Sequence, residues 1–294
     1  MKSLTIISGK GGTGKTSIVA SFASLFDNIV LADADVDAAD LHLVIPYKKK
    51  KTVEFIAGHH AIINPDLCTQ CGDCLERCQY EAIDENFTID PVACEGCGVC
   101  VHFCPSKAID FPQRKCGEWF LSSTPFGPMV HAKLGIAEEN SGLLVSTVRN
   151  EARIIAEKEK RDLILTDGPP GIGCPVIASI TGATAVLIIT EPTLSGMHDL
   201  KRVAELSNFL KVPGMLCVNK FDLNPNLTEE IIATGKKYQL TAVGKIPYDS
   251  SVTKAMVEGK SPVSFSKGPA SLAIEAVWKN VNNFLYNNEK IEKE

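Results

Sequence analysis

Eleven cysteines occur in this 294-residue chain, and eight of them fall into two copies of one spaced run. Cys68, Cys71, Cys74 and Cys78 form the first; Cys94, Cys97, Cys100 and Cys104 form the second. Thiolates bind iron strongly, and two-residue gaps let three sulfurs converge on one cluster, so the spacing points to a pair of [4Fe–4S] clusters. Structural zinc is the alternative, but it generally uses two separated pairs of ligands. A second chemistry opens the chain. Gly9-Lys10-Gly11-Gly12-Thr13-Gly14-Lys15-Thr16-Ser17 fits the Walker A pattern, in which glycines let consecutive backbone N–H groups converge on phosphate oxygens. Lys15 is expected to reach the β and γ phosphates, and the Thr16 hydroxyl to bind Mg²⁺.

The elements that must position these groups are legible as alternation. Apolar runs at Leu4–Ser8, Ile29–Ala32, Leu143–Thr147, Leu163–Thr166, Ala185–Thr190 and Met215–Val218 read as buried strands. Amphipathic stretches at Ser17–Phe26, Asn150–Lys160, Leu194–Leu210 and Thr228–Tyr238 read as the helices between them. The expected fold is α/β: a doubly wound, mostly parallel sheet of the P-loop NTPase kind. The phosphate loop follows the first strand and precedes a helix, which is the context that motif requires.

Between residues 58 and 112 the alternation stops. Ile63-Asn64-Pro65 is answered by Ile89-Asp90-Pro91, and Ala82-Ile83-Asp84 by Ala108-Ile109-Asp110, with the cysteine runs in step. So small a repeat buries little core of its own, and bound metal is expected to supply much of its stability. The expected organisation is a discontinuous ATPase domain, 1–57 and 113–294, carrying an inserted small α+β domain at 58–112.

Lys10-Gly11-Gly12-Thr13-Gly14-Lys15-Thr16 resembles the deviant Walker A loop of the MinD/ParA/nitrogenase-iron-protein ATPases. The likeness extends over nearly the whole chain outside the insertion. It implies an ATP-dependent homodimer in which Lys10 crosses to the partner's nucleotide, as an arginine finger does in trans. Lys10, Lys15 and Asp35 become the catalytic group. Asp33-Ala34-Asp35 resembles switch I, with Asp35 orienting the attacking water and Asp33 supporting the magnesium site. Asp167, in Asp167-Gly168-Pro169-Pro170-Gly171, resembles the switch II aspartate that holds Mg²⁺ through water. Asn219 resembles the adenine-binding asparagine, and Ile246-Pro247-Tyr248-Asp249 the loop flanking the base, which adds Pro247 and Asp249. Without the family, Asn219 and Asp249 are turn residues at strand ends; Asp37 and Asp40 are read as caps of the next element.

The insertion resembles bacterial two-cluster ferredoxins. The second run has their Pro105, whereas the first has Gln79 at that position. In such ferredoxins the fourth cysteine of each run ligates the other cluster. The resemblance therefore implies Cys68, Cys71, Cys74 and Cys104 on one cluster, and Cys94, Cys97, Cys100 and Cys78 on the other. His102 is read as a packing residue beside the clusters. Cys217 is read as a core residue. Cys116 follows the insertion, outside both cysteine runs. Cys174 follows the switch II segment, and the absence of a second cysteine between 117 and 173 favours a structural reading over redox use.

A formal charge of −5 with no basic stripe argues against nucleic-acid binding, and Lys48 to Lys51 reads as a solvated loop. Leu4-Thr5-Ile6-Ile7 leads directly into the phosphate loop, which argues against a secretory leader. No apolar run has the length of a membrane span. Clustered thiols suit a reducing compartment, so a cytoplasmic location is expected. Leu272, Ile274, Val277, Val281 and Phe284 lie near helical spacing and read as a helix packed on the domain.

Three functions fit these features. The first is slow, partner-regulated ATP hydrolysis whose dimer closure drives electron transfer through the two clusters to an unidentified redox partner. The second is a scaffold or carrier in iron–sulfur or other metallocofactor assembly. The third is a positioning ATPase of the MinD/ParA type, working on a membrane or DNA surface.

Overall fold

A computed structural model describes residues 1–135 and 141–287. The chain divides into two compact units, one of residues 1–52, 119–133 and 141–294, the other of 53–118 and 134–140. The expected insertion at 58–112 lies within the second unit.

The first unit begins with β1 (Lys2–Ser8), the phosphate loop, α1 (Lys15–Ala23), β2 (Ile29–Asp33) and the short α2 (Leu41–Val44). Strand β3 (Lys48–His59) then carries the chain into the second unit. There β4 (Ile62–Ile63), α3 (Asp73–Arg77), α4 (Val99–Phe103) and β5 (Ile109–Asp110) follow, and β6 (Gln113–Ser123) returns to the first. The remainder is β7 (Pro128–Leu134), α5 (Ser141–Lys158), β8 (Leu163–Pro170), α6 (Cys174–Ile180), β9 (Ala185–Thr190), α7 (Leu194–Phe209) and β10 (Gly214–Asn219). It closes with α8 (Pro225–Lys237), β11 (Thr241–Ile246), α9 (Ser250–Val257), α10 (Pro262–Phe265) and α11 (Pro269–Asn287).

Nine strands form one sheet in the order β11-β10-β9-β1-β8-β2-β7-β6-β3. The pairs from β11 through β7 are parallel. Such a sheet needs cover on both faces, and the alternation of side chains along β1 supplies it. Leu4 and Ile6 point into a core with Phe22 of α1 and Ile274, Val277 and Trp278 of α11. Ile7 joins the opposite core, with Ile180 of α6, Val203 of α7 and Ile231 of α8. Helix starts are fixed by side chains: Thr193 Oγ1 accepts from Gly196 N–H at 3.0 Å on α7, and Asn224 Oδ1 from Leu227 N–H at 3.1 Å on α8.

Several expectations are corrected. Leu143–Thr147 is helical, being the first turns of α5. Leu144, Val145, Val148, Ala152 and Ala156 form one buried stripe at helical spacing, which continues the Asn150–Lys160 pattern backwards. Lys48 to Lys51 lies on the edge strand β3 and not in a loop. Its lysines are exposed, with Lys49 Nζ 3.7 Å above the Phe120 ring, and such charges discourage edge-to-edge pairing. Helix α11 packs on the domain as expected, through Ala270, Ile274, Val277, Val281 and Leu285, but Leu272 is off that face and exposed. Among the described residues no helix is long and apolar enough to cross a membrane.

His131 of β7 is nearly buried, with Nε2 2.9 Å from Ser122 Oγ of β6. The rings of His42, Tyr47 and Phe120 surround it. Burial, then the charges of His42 and Lys49, push its pKa down to about 4. The unfolded chain, with an imidazole of ordinary pKa about 6.5, therefore binds more protons between these values. The stability that His131 contributes is full above about pH 6.5 and is lost as pH falls toward 4. We expect His131→Leu to flatten the fall of Tm between about pH 6.5 and 4. Thermal melts across that range check this, and an unchanged slope would refute it.

In the second unit the repeat is reproduced bond for bond. Asn64 N–H donates to Ala108 C=O at 2.8 Å, and Asp90 N–H to Ala82 C=O at 2.8 Å. The side chains of Asn64 and Asp90 each accept from the N–H two residues on, at 3.0 and 2.8 Å. Ile63 pairs with Ile109 and Ile83 with Ile89, so each half completes its neighbour's ribbon. Helices α3 and α4 both start after a glycine with positive φ, Gly72 and Gly98.

Candidate functional site

Parallel strands deliver their C-terminal ends to one edge of a sheet, and ligands bind in the crevice outside that edge. Here Ser8, Asp33, Asp167, Thr190 and Asn219 stand at the ends of β1, β2, β8, β9 and β10 or close to them. Gly14 has φ 88°, and a Cβ on it would stand 2.6 Å from the Asn219 amide nitrogen. That amide donates to Thr13 C=O at 2.8 Å and ties β10 to the phosphate loop. Asn219 thus braces the loop with the group that the family resemblance assigned to adenine. Gly14→Ala combines backbone strain with this clash, and we expect ATP binding to weaken about tenfold or more. Titration with a fluorescent ATP analogue reads it; unchanged affinity would show that the loop tolerates a Cβ.

Lys15 opens α1, is almost wholly buried, and lies 3.9 Å from Asp35 Oδ2. Asp33 is fully buried and accepts from Leu41 N–H at 3.1 Å and from Asp35 N–H at 3.4 Å. Burial raises its pKa well above the ordinary carboxylate value, and the charges of Asp167 and Asp35 raise it further. Burial also lifts Asp35 to about 6, against the opposing pull of Lys15. Asp167 is raised to about 6, again mainly by burial, while Lys15 and the Thr16 hydroxyl pull it down. Neither carboxylate oxygen of Asp167 has a hydrogen-bond partner of good geometry, and both are buried. Two buried carboxylates and the half-buried Asp35 around a single lysine are under-compensated, and a divalent cation with its water shell would supply the missing charge. The donor set of Thr16 and Asp167 fits Mg²⁺, a hard cation that keeps waters between itself and the protein.

Lys10 Nζ lies 3.3 Å from Ser195 Oγ, 3.5 Å from Thr193 Oγ1 and 3.8 Å from Glu191 Oε2. The other oxygen of Glu191 accepts from Lys220 Nζ. Glu191 and Lys220 went unremarked in the sequence, although each directly follows a strand end. Asp249 caps α9, accepting from Ser251 N–H at 2.8 Å and from Ala270 N–H at 3.3 Å. Those bonds, led by the Ser251 N–H, hold its carboxyl below the ordinary value. Pro247 lies in the segment between β11 and α9. Asp40 precedes α2 but makes no side-chain capping bond, contrary to expectation.

In the second unit a narrow cavity is lined by Cys68, Cys71, Cys74 and Cys104, the four residues grouped by the ferredoxin resemblance. Cys94 and Cys97 lie close enough to Cys100 for their charges to raise its pKa, after burial. Cys78 packs in the same apolar cluster as Cys94 and Cys100. The repeat recurs at the sulfurs: Ala82 N–H donates to Cys78 Sγ at 3.4 Å, and Ala108 N–H to Cys104 Sγ at 3.3 Å. Among the described residues no three His, Cys, Asp or Glu side chains converge tightly enough to hold a single metal ion. A four-iron cluster has a larger core, with each iron bound to its own thiolate, so its ligands stand further apart than those of one ion. The four-cysteine cavity fits that chemistry in donor type and number.

The remaining cysteines separate. Cys217 is buried in β10, and burial pushes its thiol up to about 12. Cys116 is buried, with Sγ 3.0 Å from Ala57 C=O. Cys174 is exposed at the start of α6. His102 is exposed and meets the Phe103 ring edge-on.

Residues 4–263 match the model of the CobQ/CobB/MinD/ParA nucleotide-binding domain. An uncharacterized protein of Methanocaldococcus jannaschii is 37% identical over 285 residues, covering 96% of this chain and 97% of its own. The fold is similar to that of the septum site-determining protein MinD of Pyrococcus horikoshii, solved with Mg-ADP: TM-score 0.59, 15% identity, 97% and 98% of the two chains. It is also similar to that of a chain in the MinC:MinD cell division protein complex of Aquifex aeolicus: TM-score 0.57, 19% identity, 96% of each chain.

Proposed function

Because this chain belongs to the CobQ/CobB/MinD/ParA nucleotide-binding family, we propose that it binds and hydrolyses Mg-ATP and uses the nucleotide to switch its association state. The observation that carries this reading is the buried carboxylate of Asp167, without a hydrogen-bond partner of good geometry, beside Thr16 and Lys15 at the mouth of the phosphate loop. Backbone N–H groups of Gly11 to Thr16 cradle the phosphates, with Gly9 and Ser17 flanking them, and Lys15 neutralises the transferring group. Thr16 and Asp167 would hold Mg²⁺, supported by Asp33, and Asp35 would orient the attacking water. Lys10 rests against Glu191, Thr193 and Ser195, an ion pair at a partly exposed site that costs little to break. It is thus free to reach the nucleotide of a second copy in an ATP-dependent homodimer.

Of the three activities weighed, an ATP-switched positioning protein is favoured over electron transfer or cofactor delivery, since similar solved structures include the cell division ATPase MinD of Pyrococcus furiosus and a ParA family ATPase of Chlorobium tepidum. Sedimentation with anionic liposomes, and separately with duplex DNA, tests it; no Mg-ATP-dependent binding to either would sink the positioning reading.

One observation favours an iron–sulfur reading beside it: the cavity whose lining includes Cys68, Cys71, Cys74 and Cys104. We infer that this set and Cys78, Cys94, Cys97 and Cys100 each hold one [4Fe–4S] cluster. Bound clusters would supply one-electron storage, and their coupling to the nucleotide requires a redox partner. Midpoint potentials with and without Mg-ATP test that coupling, and identical values would argue against it.

A further inference from the structure

A second cavity in the cysteine unit, of about 390 Å³, lies where the two repeats meet. Ile63 and Pro65 of the first repeat and their counterparts Ile89 and Pro91 of the second all line it. His60 and its counterpart Asn86 line it too. The symmetry then breaks. The first repeat adds Cys68 and Gln70, whereas the second adds neither counterpart, Cys94 or Gly96. Gly96 explains why: a Cβ there would come within 2.1 Å of the His59 carbonyl oxygen, so the end of β3 covers that side. Cys68 also lines the narrow four-cysteine cavity, so the two cavities share that wall.

Its lining decides what it takes. No Lys, Arg, Asp or Glu is present, so a charged ligand would be desolvated without compensation. The polar groups are the amides of Gln70 and Asn86, the Thr88 hydroxyl and the imidazole of His60, whose Nδ1 is buried without a partner. Amide and hydroxyl groups set among isoleucines and prolines suit an apolar ring with donors and acceptors on its edge, and the volume lies in the range of small-molecule sites. We propose that this cavity binds a small uncharged heterocycle or quinone against the wall that carries Cys68. Its position beside a cluster rests on the iron–sulfur reading; the binding itself does not.

Equilibrium dialysis of the full-length, anaerobically reconstituted protein against lumichrome and against menadione tests the proposal. We expect one molecule of at least one probe per chain, with Kd below about 1 mM. Thr88→Trp, at an exposed residue of the lining, should weaken binding at least about tenfold. Glu85→Trp, in the same turn but outside the lining, should leave it unchanged. No saturable binding of either probe, or equal binding by Thr88→Trp, overturns the proposal. Iron and sulfide analysis of the same samples reads the cluster assignment separately. Probe bound without iron removes the clusters and leaves the cavity; iron without probe removes the cavity alone; loss of both overturns both.

Discussion

Lys15→Ala is expected to lower kcat/KM for ATP hydrolysis by at least about 100-fold, the scale on which one preorganised charge at a developing oxyanion acts. The effect exceeds loss of a surface lysine because Lys15 is buried at the start of α1, within a group of carboxylates. Removing it subtracts the cation that faces the phosphates and leaves Asp35 without its counter-charge. Asp35 and Asp167 then rise further in pKa, since Lys15 is the main influence lowering both. Steady-state phosphate release at saturating Mg²⁺ measures the loss. A variant within about threefold of the parent would mean that this loop is not where hydrolysis occurs.

The second large effect lies in the cysteine unit. Replacing Cys68, Cys71 and Cys74 together by serine should remove about half of the roughly eight irons of a two-cluster protein. It should also expose the unit to proteolysis. The buried apolar cluster there is only Ala61, Cys74, Ile83 and Ile109, with Cys78, Cys94, Cys100 and Cys104 and the partly buried Ile63, Phe87, Ile89, Val101 and Phe111 packed against it, so cysteines make up much of its packing. Iron analysis and limited proteolysis read both effects. Full iron content in the triple variant would show that these residues are not ligands. The phosphate loop belongs to the other compact unit, so nucleotide binding by this variant serves as the control for global misfolding.

Much of the fold was legible because it rests on local rules. Leu4 to Ser8, Ala185 to Thr190 and Met215 to Val218 are apolar runs of strand length, and a parallel sheet buried on both faces demands such runs. Leu143 to Thr147 has the same composition yet is helix, because short apolar runs do not distinguish the two. There the helical phase running on through Ala152 and Ala156 decides. The strands β6 and β7, whose polar residues Ser122 and His131 satisfy each other across the sheet, carried no clean periodic signal.

The site divides in the same way. The loop from Gly9 to Ser17 and the cysteine runs are contiguous motifs whose spacing is dictated by the phosphates or the iron they suit. Asp33, Asp167 and Asn219 could be found because the segments that carry them, each at or just after an apolar run of strand length, resemble those of the family. Glu191 and Lys220 were missed because their relation to each other and to Lys10 arises only when β9 and β10 lie side by side. The dual attachment of Asn219, to the loop as well as to its strand end, is a tertiary fact of the same kind.

The most direct test of the nucleotide switch is mass by light scattering, on the parent protein and on Lys10→Ala, each with Mg-ATP and with Mg-ADP. The account predicts a dimer only for the parent with Mg-ATP, and monomers in the other three samples. A parent mass that ignores the nucleotide, or a Lys10→Ala variant that dimerises as the parent does, would contradict it.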